Sequence, residues 1–302
     1  MTITKHCRAL VLAPVLGLAL LLVPAQSPTA ALGVGRITVK PAKVAAGSTG
    51  TFTLVFTADD GALIGQTLLD IPRGWTPPRT APAGSPGFVS LARGSCASAT
   101  KLTRVVARRL LIATSCKRGQ SFTVTYGPAT ASTLAADGYV FLTQTRPNAG
   151  VVKTKTIRKV VKTKTGKRKT KVRRIRVVIK PTFRPLAQKK QPVVVVTGAP
   201  IDHLAINAPS ITTSGTPFGI NVRAEDRYGN VACCYTGVVT FSSSDPEAFL
   251  PTPYQFTATD LGAKNFARVI VRTVGLQTIT VSDNAGHADV SNAISVYPFP
   301  TG

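Results

Sequence analysis

Between Val151 and Lys190 the chain carries seventeen Lys or Arg residues and no Asp or Glu. No fold can bury such a block, because each unpaired ammonium or guanidinium that leaves water costs several kcal/mol. The segment must be a solvated arm, and the chain on either side of it must build its own core. The formal charge of the whole chain is +25, and the arm supplies +17 of it. Residues Ala199–Gly302 net −3. A solvated arm of one sign attracts polyanions.

The arm has internal order. Val151-Val152-Lys153-Thr154-Lys155-Thr156 recurs as Val160-Val161-Lys162-Thr163-Lys164-Thr165, and Lys167–Ile179 continues with Lys, Arg, Val and Ile. Val, Ile and Thr favour strands, and Thr165-Gly166 suits a two-residue hairpin turn. This predicts a long β-hairpin, Val151–Lys164 paired with Lys167–Lys180, each strand on the order of 45 Å long. A disordered basic loop is the alternative, since like charges facing each other oppose pairing. No aromatic residue interleaves the cations from Val151 to Pro181, so base stacking has no support. Contact with phosphate or another repeated anion needs only charge. The expected polyanion-binding residues are Lys153, Lys155, Arg158, Lys159, Lys162, Lys164, Lys167, Arg168, Lys169, Lys171, Arg173, Arg174 and Arg176.

Both flanks read as all-β. Phe218, Ile220, Val222 and Ala224 alternate with Gly219, Asn221 and Arg223, the period of a half-buried strand, and Asp226-Arg227-Tyr228-Gly229-Asn230 reads as a turn. Strands are expected at His203–Asn207, Gly237–Ser242, Asn265–Arg272, Gln277–Ser282 and Ala293–Val296 as well. Such spacing over about 100 residues fits one immunoglobulin-like sandwich. Before the arm, Ile37-Thr38-Val39, Thr51–Thr57, Thr67–Ile71, Gly87–Leu91, Phe122–Tyr126 and Tyr139–Thr143 read as strands, and Pro192–Thr197 as the closing one. The arm, residues 148–184, is then an insertion into a first sandwich of residues 31–197. The second sandwich covers 199–298, after a short linker near Gly198-Ala199-Pro200.

The second stretch resembles a bacterial immunoglobulin-like repeat of secreted and surface proteins, related to invasin/intimin and filamin-type sandwiches. The resemblance rests on His203-Leu204-Ala205-Ile206, Ser214-Gly215-Thr216-Pro217-Phe218, Ala224–Val231, Tyr235–Ser242, Ser244-Asp245-Pro246 and Gly275–Val281. Cys233-Cys234 departs from it, where such repeats carry small or polar residues. Ile71-Pro72-Arg73-Gly74-Trp75-Thr76-Pro77 is similar to a proline–glycine–tryptophan corner of sandwich repeats in secreted actinobacterial proteins. The resemblance implies a spacer or adhesive module and brings no catalytic residues.

Lys5 and Arg8, the apolar run Ala9–Val23 and the small residues around Pro24-Ala25 have the layout of a secretory signal peptide, residues 1–25. Cleavage is expected after Ala25, with Ala31 as second choice and a retained anchor as the alternative. Export permits disulfides. In a hairpin turning near Ala107, Cys96 and Cys116 face each other across its open end if opposing numbers sum to about 212, which predicts a bridge. Cys233-Cys234 stays open between a strained vicinal ring, free thiols and an intermolecular bridge.

No reaction is legible. His203 and His287 read as solvated or core residues, Trp75 as a core plug, and Asp59, Asp60, Asp226, Asp245, Asp260 and Asp283 as turn caps. Neither a metal site nor a cofactor is expected, and a small-molecule substrate is not. The chain reads as a secreted or cell-surface non-catalytic structural or adhesive protein. Its partners would be anionic cell-wall polymer, anionic lipid or nucleic acid, and other surface proteins. The alternative is an extracellular carbohydrate- or nucleic-acid-binding accessory module, with Trp75 as the sugar platform.

Overall fold

The chain folds around two separate hydrophobic clusters, one drawn from Ile37 to Val196 and the other from Leu204 to Val296. The computed structural model describes residues 32–80, 82–148, 151–162, 168–179 and 181–300. The expected leader, with both cleavage positions, and the arm residues 163–167 and Lys180 lie outside them. The described residues are strand and turn throughout, apart from a single 3-10 turn at Gln188–Lys190.

The first sandwich packs two main sheets. One runs Arg36–Lys40, Thr49–Thr57, Ser121–Thr130 and Val89–Ala92; the other runs Arg184–Pro185, Thr143–Pro147, Leu63–Asp70, Arg109–Cys116 and Lys101–Val106. Alternation explains the layers. Strand Thr49–Thr57 buries Phe52, Leu54 and Phe56 and turns its threonines outward. Phe56 stacks on Phe122 with ring centroids 4.9 Å apart, and Trp75 meets Phe52 at 5.0 Å and Phe141 at 5.1 Å. Trp75 is only 2% exposed, so the corner carries a core plug and no ring face remains for a sugar. The corner is tied down by Arg108, whose guanidinium donates to the carbonyls of Ile71, Pro72 and Trp75.

The second sandwich builds from Phe218–Glu225 between His203–Asn207 and Ala263–Val269. Opposite lie Val238–Ser243 with Tyr254–Gln255, Ile279–Asp283 and Ala288–Val290. A third group joins Ile211–Thr213, Ile294–Tyr297 and Gly275–Gln277. The two sandwiches close alike. In each, the opening strand pairs antiparallel with the next long one (Ile37↔Phe56, Leu204↔Ala224). The chain then crosses as a three-residue strand that lies parallel to the last strand, Val44↔Val196 in the first and Thr212↔Val296 in the second. The fold is thus all-β, two immunoglobulin-like sandwiches, the first carrying a long basic β-hairpin insertion.

Two expected strands are each broken by a sheet change. Tyr139–Thr143 separates into Ala136–Val140, which pairs with Val193–Thr197, and Thr143–Pro147, which pairs with Leu63–Asp70. Gln277–Ser282 divides at Thr278 between Gly275–Gln277 and Ile279–Asp283. In both places the alternation continues while the hydrogen-bonding partner changes.

Cys96 and Cys116 are bridged, with Cα atoms 4.5 Å apart. The route differs from the expected register. The hairpin pairs Val106 with Arg109 and, beyond a bulge, Lys101 with Ala113, so opposing numbers sum to 215 and then 214 rather than 212. Cys96 lies off the ladder in a turn closed by its own amide on the Arg93 carbonyl, and that turn brings it back to the strand end.

The sandwiches meet at a joint made of one turn. Asp226 accepts hydrogen bonds from the amides of Tyr228 and Asn230, each 2.9 Å, and from the linker amide of Ala199 at 2.8 Å. Gly229 takes φ +78 within this turn, a conformation side chains rarely adopt. Asn230 reaches across, accepting from the Ala135 amide and donating to the Thr133 carbonyl, both 2.8 Å. Tyr228 lies over Gly47 of the first sandwich so closely that a Cβ there would come within 2.2 Å of its hydroxyl.

Candidate anion-binding hairpin

The arm leaves the first sandwich at the edge of a sheet. Its two ends are neighbours: Gln144 pairs with Pro185 and Thr145 with Arg184. The root is held by the Gly33 amide on the Pro185 carbonyl (2.8 Å), the Leu186 amide on Thr143 (3.0 Å) and the Asn148 amide on Ile64 (2.8 Å). Arg146 lies over the ring of Phe183 at 4.5 Å and donates through Nε to Gln66 at 2.8 Å. The chain therefore departs and returns along a fixed edge.

Strands Val151–Lys162 and Arg168–Ile179 pair antiparallel over their full length, as a two-stranded sheet of their own. The register is one residue off the expected one. Lys162 pairs with Arg168, and the expected Thr165-Gly166 turn lies outside the described residues. The charge pattern accounts for the slip. The expected register would set Lys155 against Arg176, Arg158 against Arg173, Lys162 against Lys169 and Lys164 against Lys167. In the observed one, the like-charged partners among the described pairs are Lys159 with Lys171 and Lys162 with Arg168. Since facing like charges are destabilising, the observed register is the better one.

All but two of the expected binding residues have a place in the ladder. Lys153 pairs with Val177, Lys155 with Ile175, Arg158 with Val172, and Lys169 with Val161. Arg173, Arg174 and Arg176 pair with Ile157, Thr156 and Thr154. Lys164 and Lys167 lie outside the described residues. Thr154, Lys155, Thr156, Ile157, Thr170, Val172, Arg173, Arg174 and Arg176 are exposed, on both faces of the ribbon, and Ile175 is half-buried. Ile157 and Val172 keep 42% and 58% of their surface. Where it is open on both faces the ribbon takes little stability from apolar packing, and an isolated two-stranded sheet is marginal in water. What it can do is present cations to a repeated anion.

Lys190, at the end of the basic block, is withdrawn from that surface. It is bonded to Asp60 and lies 3.3 Å from Asp59. The hydrogen bond to Asp60 raises the Lys190 pKa, and the same bond holds the Asp60 carboxyl below the usual carboxylate range.

The aspartates that read as turn caps are occupied in structure. Asp245, Asp260 and Asp283 cap local amides, as does Asp226. Asp283 also accepts from the Tyr235 hydroxyl and lies beside His287 Nδ1, both at 2.8 Å. Burial, followed by the bond to Asp283, pushes the Tyr235 hydroxyl pKa up. Sequence reasoning missed this cluster and the Arg108 clamp, because each depends on a long-range pairing. His203 lies 3.2 Å from Asp202 and 3.6 Å from Glu225. The thiols of Cys233 and Cys234 are 3.7 Å apart and unbridged, and the neighbouring Cys233 sulfur, with burial, raises the Cys234 pKa.

No family model matches the chain, and no curated protein matches it at a significant level. Among solved structures it is similar to the FdeC adhesin of Escherichia coli, with a TM-score of 0.35, 11% identity, and coverage of 90% of this chain and 66% of the other. The chain thus spans just under two thirds of that adhesin chain. It is also similar to a type II cohesin dyad from the adaptor scaffoldin ScaA of Acetivibrio cellulolyticus (TM-score 0.24, 10% identity, coverage of 89% and 98%). An ICAM-5 ectodomain fragment gives a TM-score of 0.22, 10% identity and coverage of 88% and 78%.

Proposed function

We propose that this is a non-catalytic structural or adhesive protein of the cell exterior, held to anionic envelope polymer by its basic hairpin. The observation that carries the reading is the hairpin itself: a paired ribbon, open to solvent on both faces at Thr154–Ile157 and Val172–Arg174, and rooted in a sheet edge by backbone bonds. A core element would not be built this way, and a tether to a polyanion would. The two sandwiches supply reach, and the Asp226–Asn230 turn stiffens their connection. Export rests on the leader-like sequence of residues 1–25. Among the described residues no helix is long and apolar enough to cross a membrane.

Charge-driven attachment has a clear signature. If about six to ten anionic groups are engaged, affinity falls roughly 10³–10⁵-fold between 50 and 200 mM salt. The test is binding of the full chain to isolated envelope polymer across that range, beside a variant lacking residues 151–179. Loss of binding in the deletion and a steep salt slope in the parent are expected. Binding that ignores salt, or that survives the deletion, would overturn the proposal.

A further inference from the structure

The two faces of the hairpin are chemically different. On one, Thr154 pairs with Arg176 and Thr156 with Arg174, so two successive rungs each carry one guanidinium and one hydroxyl. On the other, Lys155 pairs with Ile175 and Ile157 with Arg173, an alternation of cation and hydrocarbon. The four residues of the first face are all exposed. Rungs two residues apart on one strand are about 6.6 Å apart, and facing Cα atoms lie about 4.5–5.5 Å apart. A guanidinium fork and a threonine hydroxyl on opposite strands can therefore serve a single ligand group, and the next rung repeats the arrangement.

The donor count of a rung selects the ligand. Toward a single group Arg presents two parallel N–H donors of its planar fork and Thr adds one O–H, so three donors meet that group against one positive charge. The matching group has three terminal oxygens and a single negative charge, which describes a sulfate half-ester. A carboxylate has two oxygens. A phosphodiester has two terminal oxygens, and a phosphomonoester carries close to two charges near neutral pH.

We propose that Thr154, Thr156, Arg174 and Arg176 form a two-rung ladder that binds successive sulfate esters of a sulfated polysaccharide. This rests on the polyanion reading of the arm and names the polymer that one face selects. Lysine cannot replace arginine in the ladder, because an ammonium is a point charge without the fork.

The experiment uses the full chain with dextran sulfate, a carboxymethyl dextran of equal charge density and a single-stranded oligothymidylate. The variants are Arg174→Lys/Arg176→Lys, Thr154→Val/Thr156→Val and, as a control on the opposite face, Arg173→Lys. All three keep strand-compatible residues, and the two Lys variants keep the charge. The parent should prefer dextran sulfate. Each ladder double variant should lose roughly tenfold in that affinity while its affinity for carboxymethyl dextran is unchanged, and Arg173→Lys should match the parent. If the ladder variants bind all three polymers as the parent does, with the same salt slope, the ladder is wrong and the charge-driven attachment stands. A parent that prefers the oligothymidylate would overturn the sulfate assignment. A parent that binds none of the three would overturn ladder and polyanion reading together.

Discussion

Asp245 should make a separable contribution to the acid stability of the second sandwich. It is 2% exposed, and its carboxylate accepts from the amides of Glu247 (2.9 Å) and Thr273 (3.1 Å), the Arg272 amide, and the Thr273 hydroxyl (2.7 Å). Burial alone would raise its pKa. These donors, led by the Thr273 hydroxyl, more than offset it and hold the group at about 2, against an ordinary value of 3.8. That difference corresponds to about 2 kcal/mol of stability. Because the folded value is depressed, the contribution is complete above about pH 4 and is lost as pH falls through about 2. Asp245→Asn removes the charge at every pH and turns an N–H₂ toward donors, so it should cost about 2–3 kcal/mol at pH 7. At pH 2, where the parent carboxyl is half protonated and most of this contribution is already lost, the gap should be much narrower. Urea denaturation followed by circular dichroism at pH 7, 4 and 2 measures the gap. Trp75, the chain's single tryptophan, sits in the first sandwich, and its fluorescence transition serves as an internal control that should not move. Asp226, Asp260 and Asp283 also have lowered pKa values, but they titrate alike in both proteins and drop out of the difference. A gap as wide at pH 2 as at pH 7 would refute the reasoning.

Other expectations follow from the same geometry. Replacing Cys96 and Cys116 by Ser, which opens a crosslink between residues 20 apart, should cost the first sandwich about 3 kcal/mol, read from the Trp75 transition; an unchanged midpoint would contradict it. Asn230→Ala deletes two bonds across the joint and the Nδ2 donor to the Asp226 carboxylate, so limited proteolysis near Gly198-Ala199-Pro200 should accelerate while the first sandwich keeps its melting temperature. Equal cleavage rates would show that the turn does not clamp the linker. Mass spectrometry of the exported protein should find Gln26 first, with Leu32 the second choice, and a species beginning at Met1 would remove the leader reading.

Much of the architecture was legible because alternation reports burial directly. Phe218–Glu225 follows it residue by residue, and Asp226–Asn230 is a turn because Asp caps amides and Gly229 supplies a positive φ. The disulfide was legible from spacing, although its register was not, since the bulge between Leu102 and Arg104 leaves no mark in composition. Strands of three residues, Lys43–Ala45 and Ile211–Thr213, have no period to read; they exist because a last strand offers them an edge. Sheet changes at Phe141 and Thr278 were invisible for the opposite reason, a period that runs on unbroken. The arm's cations could be named from sequence, but which of them share a face depends on whether opposing numbers sum to an even or an odd total. A Gly-containing turn cannot decide that by itself.

The junction of Gln144 with Pro185 has a consequence for how such a chain can change over time. An insertion whose two ends are already hydrogen-bonded neighbours adds no crossing and displaces no core residue, whatever its length. Its loop-closure cost grows only logarithmically. Substitutions along the ribbon are therefore nearly invisible to the folding stability of the sandwich beneath it, so the sign, density and reach of the charged surface can drift quickly while the scaffold is held constant. Relatives of this protein would then be recognised by the sandwich that carries the ribbon, and told apart by the ribbon.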